Sequence, residues 1–241
     1  MKILLRLIGI QFILSVALLP DSVAQTLIES YTPKVVGKSY HSITADNEGN
    51  ILVFQHFDHV NGEFVGTLAK LGPDGKSVAG FNKVITDGVI GHVEIQKDGK
   101  ILLTGDFSTI NGNVTPNFVR LNPDGTLDPS FNSALDRAGV FKLQSDGKIV
   151  VIQAWGLVRL NTDGTVDPAF SMSGSFYLNG PLAVGLDDYI YFTTYSQVYR
   201  LKPDGADDTD FYVGSGVNQN HITAIAVQAD GKILLGGSFS E

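Results

Sequence analysis

Short segments of alternating apolar and polar residues recur along the chain, separated by turns rich in Asp, Asn and Gly. Residues 222–228 (ITAIAVQ) partly alternate and carry β-branched side chains, which predicts a β-strand. The following Asp-Gly pair supplies the positive φ of a tight hairpin turn, and the apolar run ILLGG returns as a second strand buried on both faces. The pattern therefore predicts an all-β chain of antiparallel hairpins.

Two motifs alternate along this chain. The first is a turn followed by a strand, and its anchors are 50, 48, 41 and 43 residues apart: Gly49, Gly99, Gly147, Asp188 and Gly231. The second is a strand, a turn and a strand, with a basic residue five before and an aromatic residue six after each anchor: Gly75, Gly125, Gly164 and Gly205. Four strands in roughly 40 to 50 residues is the size of one β-propeller blade, so we predict a β-propeller of four-stranded antiparallel blades.

The repeat spacing predicts four complete blades, at about residues 41–81, 92–131, 139–170 and 181–211. Residues 222–241 match the first two strands of another blade, and residues 27–31 match the outer strand of a preceding one. Pro129 lies in the fourth strand of the second repeat, and proline belongs on an edge strand because it cannot donate to the ladder. We therefore expect four complete blades plus partial ones, as in a fragment of a larger ring.

The pairing of QxDGKIxxxGxF with xRLNxDGTxDPxF resembles the delta-60 repeat, a family of bacterial secreted β-propeller proteins. Residues 92–131, 139–170 and 222–240 match the pattern best, whereas the first repeat has Asn50 and Val78 in place of Lys and Asp. The resemblance implies the propeller fold and an extracellular setting. It implies no catalytic residue, since the family is not tied to one reaction.

The first 24 residues have the pattern of a signal peptide. Lys2 and Arg6 precede an apolar stretch at 8–19, and small residues at Ser22 and Ala24 fit cleavage before Gln25. A retained membrane anchor is the alternative, although the stretch is short for a bilayer span. We expect a secreted or cell-surface protein whose mature chain has no membrane span.

Composition excludes several classes of chemistry. The formal net charge is −8, and no basic run follows the first few residues, which argues against nucleic-acid binding. The absence of cysteine excludes thiolate nucleophiles, zinc–thiolate sites and iron–sulfur clusters. NPDGTLD and NTDGTVD resemble shortened calcium loops but lack the terminal Glu, so we interpret them as hairpin turns. We predict no catalytic, cofactor-binding or metal residues and no cofactor.

The best ligand-site candidates are histidines and exposed aromatic residues. His41, His92 and His221 are each predicted to begin a first strand, the strand that lines the channel of a propeller, but they lie 8, 7 and 10 residues before their anchors. Trp155 and Tyr195 occupy matching short turns, where exposed rings can stack on sugars or peptides; packing within the loop is the alternative interpretation. His56 and His59 fall in a connection and are interpreted as sequence drift.

The favoured function is a non-catalytic binding module for a protein or glycan ligand, because every strongly repeated residue has a structural role. The alternative is a secreted propeller enzyme, such as a lactonase or polysaccharide lyase, with a site at the channel mouth. That enzyme would need two or more carboxylates near the histidines. A purely structural spacer is the third hypothesis.

Two structural predictions follow from the register of the second motif. Basic and acidic residues placed symmetrically about the turn should form exposed ion pairs across strands three and four: Arg120–Asp128, Arg159–Asp167 and Arg200–Asp208. The repeated aromatic residues should be buried against a neighbouring sheet: Phe81, Phe131, Phe170 and Phe211.

Overall fold

The computed structural model describes residues 35–46, 48–133, 135, 138–153, 155–174, 178, 180–194, 197–211 and 222–238, with the backbone alone at 35–41, 55 and 56. The predicted signal peptide and the strand predicted at 27–31 lie outside this part of the chain. Every regular element in the described residues is a β-strand. Across them, no helix has the length and apolar character needed to cross a membrane.

The chain divides into two compact units, of which unit 1 contains residues 1–129. Its strands form a first sheet (β1, β2, β3, β4), a second sheet (β5, β6, β9) and a small ribbon (β7, β8). In chain order these are β1 Val35–Ala45, β2 Ile51–Val60, β3 Glu63–Phe64, β4 Leu68–Leu71, β5 Val89–Ile95, β6 Ile101–Asp106, β7 Thr109–Ile110, β8 Asn113–Val114 and β9 Phe118–Leu121.

Unit 2 contains residues 130–241. Its strands form a third sheet (β10, β11, β12), a fourth sheet (β13, β14, β15) and a two-stranded fifth sheet (β16, β17). The strands are β10 Phe141–Leu143, β11 Ile149–Gln153, β12 Gly156–Leu160, β13 Leu182–Val184, β14 Ile190–Thr193, β15 Val198–Leu201, β16 Ile222–Val227 and β17 Ile233–Gly237.

Each of the first four sheets places three strands side by side in chain order, all antiparallel. The fourth strand of each repeat is shorter than predicted. It is reduced to one paired residue against the third strand, for example Leu127 against Leu121 and Val166 against Leu160. Because proline cannot donate to a ladder, a residue such as Pro129 ends this outer pairing almost at once.

The core of unit 1 lies between its first and second sheets. The second-position residue of β2, Leu52, packs in one cluster with Ile101 and Leu103, the first and third residues of β6. In unit 2, Val150 packs in the same way with Ile190 and Phe192. Alternate residues of a strand point to opposite faces, and the second strands of the first four sheets are buried on both faces, since their second and third residues are at most 3% exposed. For β17, the run ILLGG, the predicted burial is not met, because Leu234 and Leu235 are 49% and 37% exposed.

The turns between first and second strands differ from the predicted two-residue hairpin. The Gly99 amide donates to the Gln96 carbonyl (2.9 Å), and the Gln96 amide donates to the Lys100 carbonyl (2.8 Å). Gly99 has φ +82°, whereas Asp98 keeps negative φ. This is a turn followed by a bulge at a left-handed glycine. Asp98 instead accepts a hydrogen bond from the Lys100 amide (3.1 Å) through its side chain.

The three predicted ion pairs are confirmed, but two of them are buried rather than exposed. Nε of Arg120 and of Arg159 lies 2.8 Å from Oδ2 of Asp128 and of Asp167, and each of these side chains is less than a tenth exposed. The Arg200–Asp208 pair, at 2.5 Å, is partly exposed on its arginine side. The bulge brings a lysine to the same carboxylate, since Lys148 Nζ lies 2.9 Å from Asp167 Oδ2.

The repeated aromatic residues are withdrawn from solvent. Phe131 is buried, and the other three are half-buried: Phe81, Phe170 and Phe211. Within each unit the ring contacts the turn of the next repeat, because a Cβ added to Gly125 would lie 3.2 Å from the Phe81 ring, and one added to Gly205 would lie 2.8 Å from the Phe170 ring. These two glycines leave room for the preceding repeat's ring.

Candidate ligand-binding surface

The structure describes only part of the predicted histidine and aromatic site. His41 lies inside β1 rather than at its start, paired with Gln55, and its side chain is outside the described residues. His221 and Tyr195 are also outside them. Trp155 lies in the turn between β11 and β12 with 66% of its surface exposed. Convergence of the three imidazoles therefore stays a prediction.

His92 is the one predicted histidine whose side chain is described. It lies on β5 opposite Thr104, and its Nε2 is 3.2 Å from Oε1 of Glu94. Both side chains are about one-fifth exposed. Two residues apart on one strand, they share a face, so β5 carries an imidazole–carboxylate pair within hydrogen-bonding distance.

The aspartates of the suggested calcium loops are engaged in the hairpin turns. Asp124 Oδ1 accepts from the Thr126 amide (3.0 Å) and hydroxyl (2.7 Å), and these bonds lower the Asp124 pKa. The Lys148 ammonium, an Ala169 amide bond and Arg159 hold the Asp167 pKa at about 2 against the opposing effect of burial. Among the described residues no group of three or more His, Cys, Asp or Glu could hold a metal ion.

The two ends of each sheet have different chemistry. One end, the turn edge, contains the turns between strands one and two and between strands three and four. Its described turns carry aspartates in both units: Asp74, Asp98, Asp124, Asp146, Asp163, Asp187, Asp204 and Asp230. The opposite end, the loop edge, contains the connections between strands two and three, which differ most among repeats.

The loop edge of unit 1 contains strands where the sequence indicated only a long connection. Two Asn-Gly turns, at Asn61 and Asn111, have positive φ at both residues and close the β2–β3 and β7–β8 hairpins. Residues 84–86 form single bridges with Gly66, which follows β3, and with Ile110 of β7, through Gly66–Val84 and Thr86–Ile110. Such turns match the right-handed twist of the strands they connect.

This region exposes three apolar side chains. Along the central segment Val84 and Thr86 are buried, whereas Ile85 between them is 41% exposed. Phe64 and Val114, on the flanking hairpins, are 40% and 88% exposed. Polar residues are the usual choice on the outward face of a half-buried sheet. We define Phe64, Ile85 and Val114 as the loop-edge patch.

Polar groups surround Phe64 and fix its orientation. The Lys83 ammonium lies 5.2 Å from the ring centroid, and the His59 ring meets Phe64 edge-on with centroids 5.5 Å apart. His59 Nδ1 is 2.6 Å from Asp58 Oδ1. An exposed aromatic ring thus lies beside a cation and an imidazole, and a carboxylate contacts that imidazole, a combination able to make both apolar and directional contacts.

A carboxylate holds the patch's central segment in place. Asp87 accepts hydrogen bonds from the Ser108 hydroxyl (2.6 Å), the Ser108 amide (2.8 Å) and the Thr109 amide (2.8 Å). These bonds, that of the Ser108 hydroxyl first, lower the Asp87 pKa to about 2. On the other side of Ile85, Asn111 Oδ1 accepts from the Ile85 amide (2.9 Å). The backbone under the patch is therefore pre-organised.

Unit 2 has its own exposed apolar residues at a loop edge. Trp155 follows β11, and Val140, which is 36% exposed, precedes β10 on the adjacent strand of the third sheet. Two residues after Trp155, the Leu157 amide donates a hydrogen bond to the Met172 sulfur (3.4 Å). Trp155 is thus the most exposed aromatic side chain among the residues that the structure describes.

The sequence predicts Trp155 as a ligand-site candidate but not the loop-edge patch. Its signal was present in the two Asn-Gly dipeptides, each flanked by short β-forming residues, which predict type I′ hairpins. The interpretation of this connection as sequence drift, which includes His59, is not supported by the structure, since the His59 ring contacts the Phe64 ring.

Comparison with known proteins identifies the fold. Residues 96–131, 144–170 and 228–241 match a family model described as "Domain of unknown function (DUF5122) beta-propeller". A streptogramin B lyase structure is similar over 86% of this chain and 67% of its own, with TM-score 0.56 and 15% identity. The chain has a β-propeller fold. No curated protein matches it significantly.

Two further solved structures are similar at comparable identity. YCF48, in a structure with a D1 peptide bound, matches over 82% of this chain and 60% of its own, with TM-score 0.51 and 12% identity. PorZ of Porphyromonas gingivalis, described as a surface component of the type-IX secretion system, matches over 89% of this chain and 34% of its own, with TM-score 0.46 and 15% identity. The chain spans about a third of PorZ.

Proposed function

We propose that this chain is a secreted or cell-surface binding module, built from delta-60-type repeats, whose loop edges contact a protein or glycan ligand. The observation that carries the proposal is the loop-edge patch, where an outward sheet face presents three apolar side chains: Phe64, Ile85 and Val114. Single exposed apolar residues need no explanation, but three of them on neighbouring segments of one loop edge are a candidate contact surface.

The contrast between repeated and unrepeated residues supports a binding role. The repeated Arg, Asp, Phe and Gly residues are engaged in ion pairs, turns and packing between sheets. Phe64, Val114 and Trp155 lie in the connections between strands two and three, whose length differs among the repeats. Loops on a rigid scaffold change without loss of the fold, so ligand contacts concentrate there.

Ligand screening with patch variants tests the proposal. The purified chain would be applied to glycan and peptide arrays, and binding to each hit would be measured for Ile85→Lys and Val114→Lys. Both side chains are exposed, so the fold should survive, whereas a charge in the middle of an apolar contact should weaken binding by about tenfold or more.

Leu186→Lys is the matched control, because Leu186 is 81% exposed but lies in a turn of the fourth sheet. Ligand binding that is unchanged by both patch substitutions, or weakened equally by Leu186→Lys, would reject the patch as the contact surface. A hit confined to glycans or to peptides decides the ligand class.

The enzyme alternative rests on the His92–Glu94 pair, which supplies one of the two carboxylates that such a site requires. A general acid–base role needs a group within hydrogen-bonding reach of the substrate. Turnover of lactones or acidic polysaccharides by the purified chain, abolished by Glu94→Gln with unchanged melting, would favour it over the binding module.

A further inference from the structure

A single side-chain amide links the β7–β8 hairpin to the segment that carries Ile85. Asn111 Oδ1 accepts a hydrogen bond from the Ile85 amide (2.9 Å), and Asn111 Nδ2 donates one to the Lys83 carbonyl (2.9 Å). The Asn111 backbone amide also donates to the Ile85 carbonyl (2.8 Å). Because one backbone partner donates and the other accepts, the contacts fix which end of the amide is oxygen. The Asn111 side chain therefore holds residues 83–85 at two points.

Asn111 also has the sequence context that favours spontaneous deamidation. It precedes Gly112 in the two-residue turn, and both residues are exposed, with φ of +51° and +77°. Glycine has no Cβ to obstruct the approach of its own nitrogen to the preceding side chain. A Cβ added to Gly112 would meet nothing within 4 Å, so the surroundings of the turn leave space for the reaction.

The reaction needs only water as a co-reactant. The Gly112 backbone nitrogen attacks Cγ of Asn111, and a five-membered imide forms as the new N–Cγ bond replaces the Cγ–Nδ2 bond. Nδ2 leaves as ammonia, carrying the proton of the Gly112 amide. Water then opens the imide at one of its two carbonyl carbons, which gives aspartate or isoaspartate at position 111.

Either product alters the contact with residues 83–85. In aspartate a carboxylate oxygen replaces Nδ2, so a hydrogen bond to the Lys83 carbonyl becomes a contact between two acceptors. In isoaspartate the main chain passes through the former side chain, which adds one methylene to a turn that closes with exactly two residues of positive φ. Both products therefore weaken the attachment of residues 83–85 to the hairpin.

We propose that Asn111 is a modification site whose deamidation releases residues 83–86 from the β7–β8 hairpin and thereby alters the loop-edge patch. Attack on Cγ requires the side chain to leave both of its hydrogen bonds, so the reaction proceeds from a locally opened state. Conversion then makes that opening permanent. The proposal rests on the geometry under the patch and does not depend on whether the patch binds a ligand.

Timed incubation of the purified full chain at mildly alkaline pH tests the site. Mass spectrometry of digested samples, with isoaspartate counted by an isoaspartyl methyltransferase, should show both products accumulating at position 111. Asn113 is the internal control, because it is exposed in the same hairpin but precedes the β-branched Val114. It should react more slowly by about tenfold or more, since the branched side chain obstructs the attack. Equal conversion at the two positions, or none at Asn111, would overturn the assignment.

A pair of matched variants tests the structural consequence. Asn61 occupies the same place in the β2–β3 turn, but its Nδ2 donates to the Gly75 carbonyl (3.1 Å) instead. In Asn111→Asp we expect amide hydrogen exchange at residues 83–86 to become faster by about tenfold or more, the scale expected for two lost hydrogen bonds. Asn61→Asp should change exchange at 83–86 much less. Equal effects of the two variants, or none in Asn111→Asp, would contradict the proposed release.

A third variant tests the dependence on local opening. Asp87 accepts hydrogen bonds from Ser108 and Thr109 at the start of the same hairpin, so Asp87→Asn should open this region more often and accelerate conversion at Asn111. Asp163→Asn, at an exposed turn of unit 2, should leave the rate unchanged. An unchanged rate in Asp87→Asn would show that the reaction does not proceed through this opening.

Discussion

The first and third sheets occupy equivalent places in the repeat, but the basic residue of the second motif has a different counter-ion in each. In the third sheet Arg159 pairs with Asp167 on the outer strand, and Lys148 joins the same carboxylate. In the first sheet Val78 replaces that aspartate, and Lys70 Nζ lies 3.3 Å from Asp46 Oδ2 on the other side. Both basic side chains are largely buried, so each needs a carboxylate.

In the first sheet the carboxylate comes from the position at which the third sheet has a glutamine. Asp46 lies three residues before its anchor, where the third sheet has Gln144. Gln144 accepts from Arg159 Nη1 (3.2 Å) and donates to the carbonyls of Asp188 (3.1 Å) and Pro203 (3.0 Å) in the fourth sheet. The comparison shows that the buried cation is the fixed feature of the repeat and that its counter-ion can move.

Removing the counter-ion in the third sheet should have the largest effect. Asp167→Ala leaves Arg159 buried without its carboxylate, which we expect to cost about 3–5 kcal/mol in the free energy of unfolding. Urea unfolding followed by circular dichroism gives the value. Asp163→Ala, at an exposed turn, should cost less than about 1 kcal/mol. Equal losses in the two variants would show that the ion pair does not stabilise the sheet.

The sequence predicted the ion pairs but not their burial. Arg120 and Asp128 are predicted to be partners because they are equidistant from Asp124 in the turn, and register follows from turn geometry. Burial depends on the neighbouring repeat, which contributes carbonyl oxygens such as that of Pro203 to Arg159 Nη1 (2.5 Å). Contacts between sheets of this kind are not encoded in the periodicity of one strand.

The candidate site was less predictable for the same reason. Trp155 was found because its turn is short and its alignment with the next repeat is clear. The loop-edge patch arises where residues 84–86 bridge to Gly66 and Ile110, which belong to two different repeats. Spacing within one repeat gives no information on that pairing, although the Asn-Gly turns predicted the hairpins themselves.

Two glycine-to-alanine substitutions should distinguish the energetic cost of close packing from that of backbone strain. Gly164 has φ +93°, and a Cβ there would lie 2.8 Å from the backbone of Asn132. Gly231 has φ +79° and nothing within 4 Å. Gly231→Ala should cost about 1 kcal/mol from the left-handed conformation alone. Gly164→Ala should cost about 2–4 kcal/mol, because overpacking adds to that strain. Equal melting temperatures for the two variants would mean that this contact is not tight.

Moving the counter-ion of the third sheet to the first sheet's position tests whether the two arrangements are interchangeable. Gln144→Asp combined with Asp167→Val should be more stable than Asp167→Val alone, with a favourable coupling of about 1 kcal/mol. Full recovery is not expected, because the introduced carboxylate cannot donate to the two carbonyl groups that Gln144 Nε2 contacts. A coupling of zero in a double-mutant cycle would show that each arrangement depends on its own surroundings.

The smallest expected effect is an acid-dependent loosening of residues 108–111 under the loop-edge patch, with the third sheet as the comparison. The Asp87 carboxylate has its pKa lowered to about 2 by hydrogen bonds from Ser108 and Thr109. Its stabilising contribution is complete above the unfolded value near 3.8 and is lost as the pH falls through about 2, since the unfolded chain binds the proton first.

In Asp87→Asn this contribution is absent, so amide exchange at residues 108–111 should be faster at pH 6 and should depend less on pH between 4 and 2. Asp167 has a similarly low pKa but lies in unit 2, and Asp167→Asn should leave the pH dependence at 108–111 unchanged. Loss of the pH dependence in both variants would show that acid acts on the whole chain rather than on the segment under the patch.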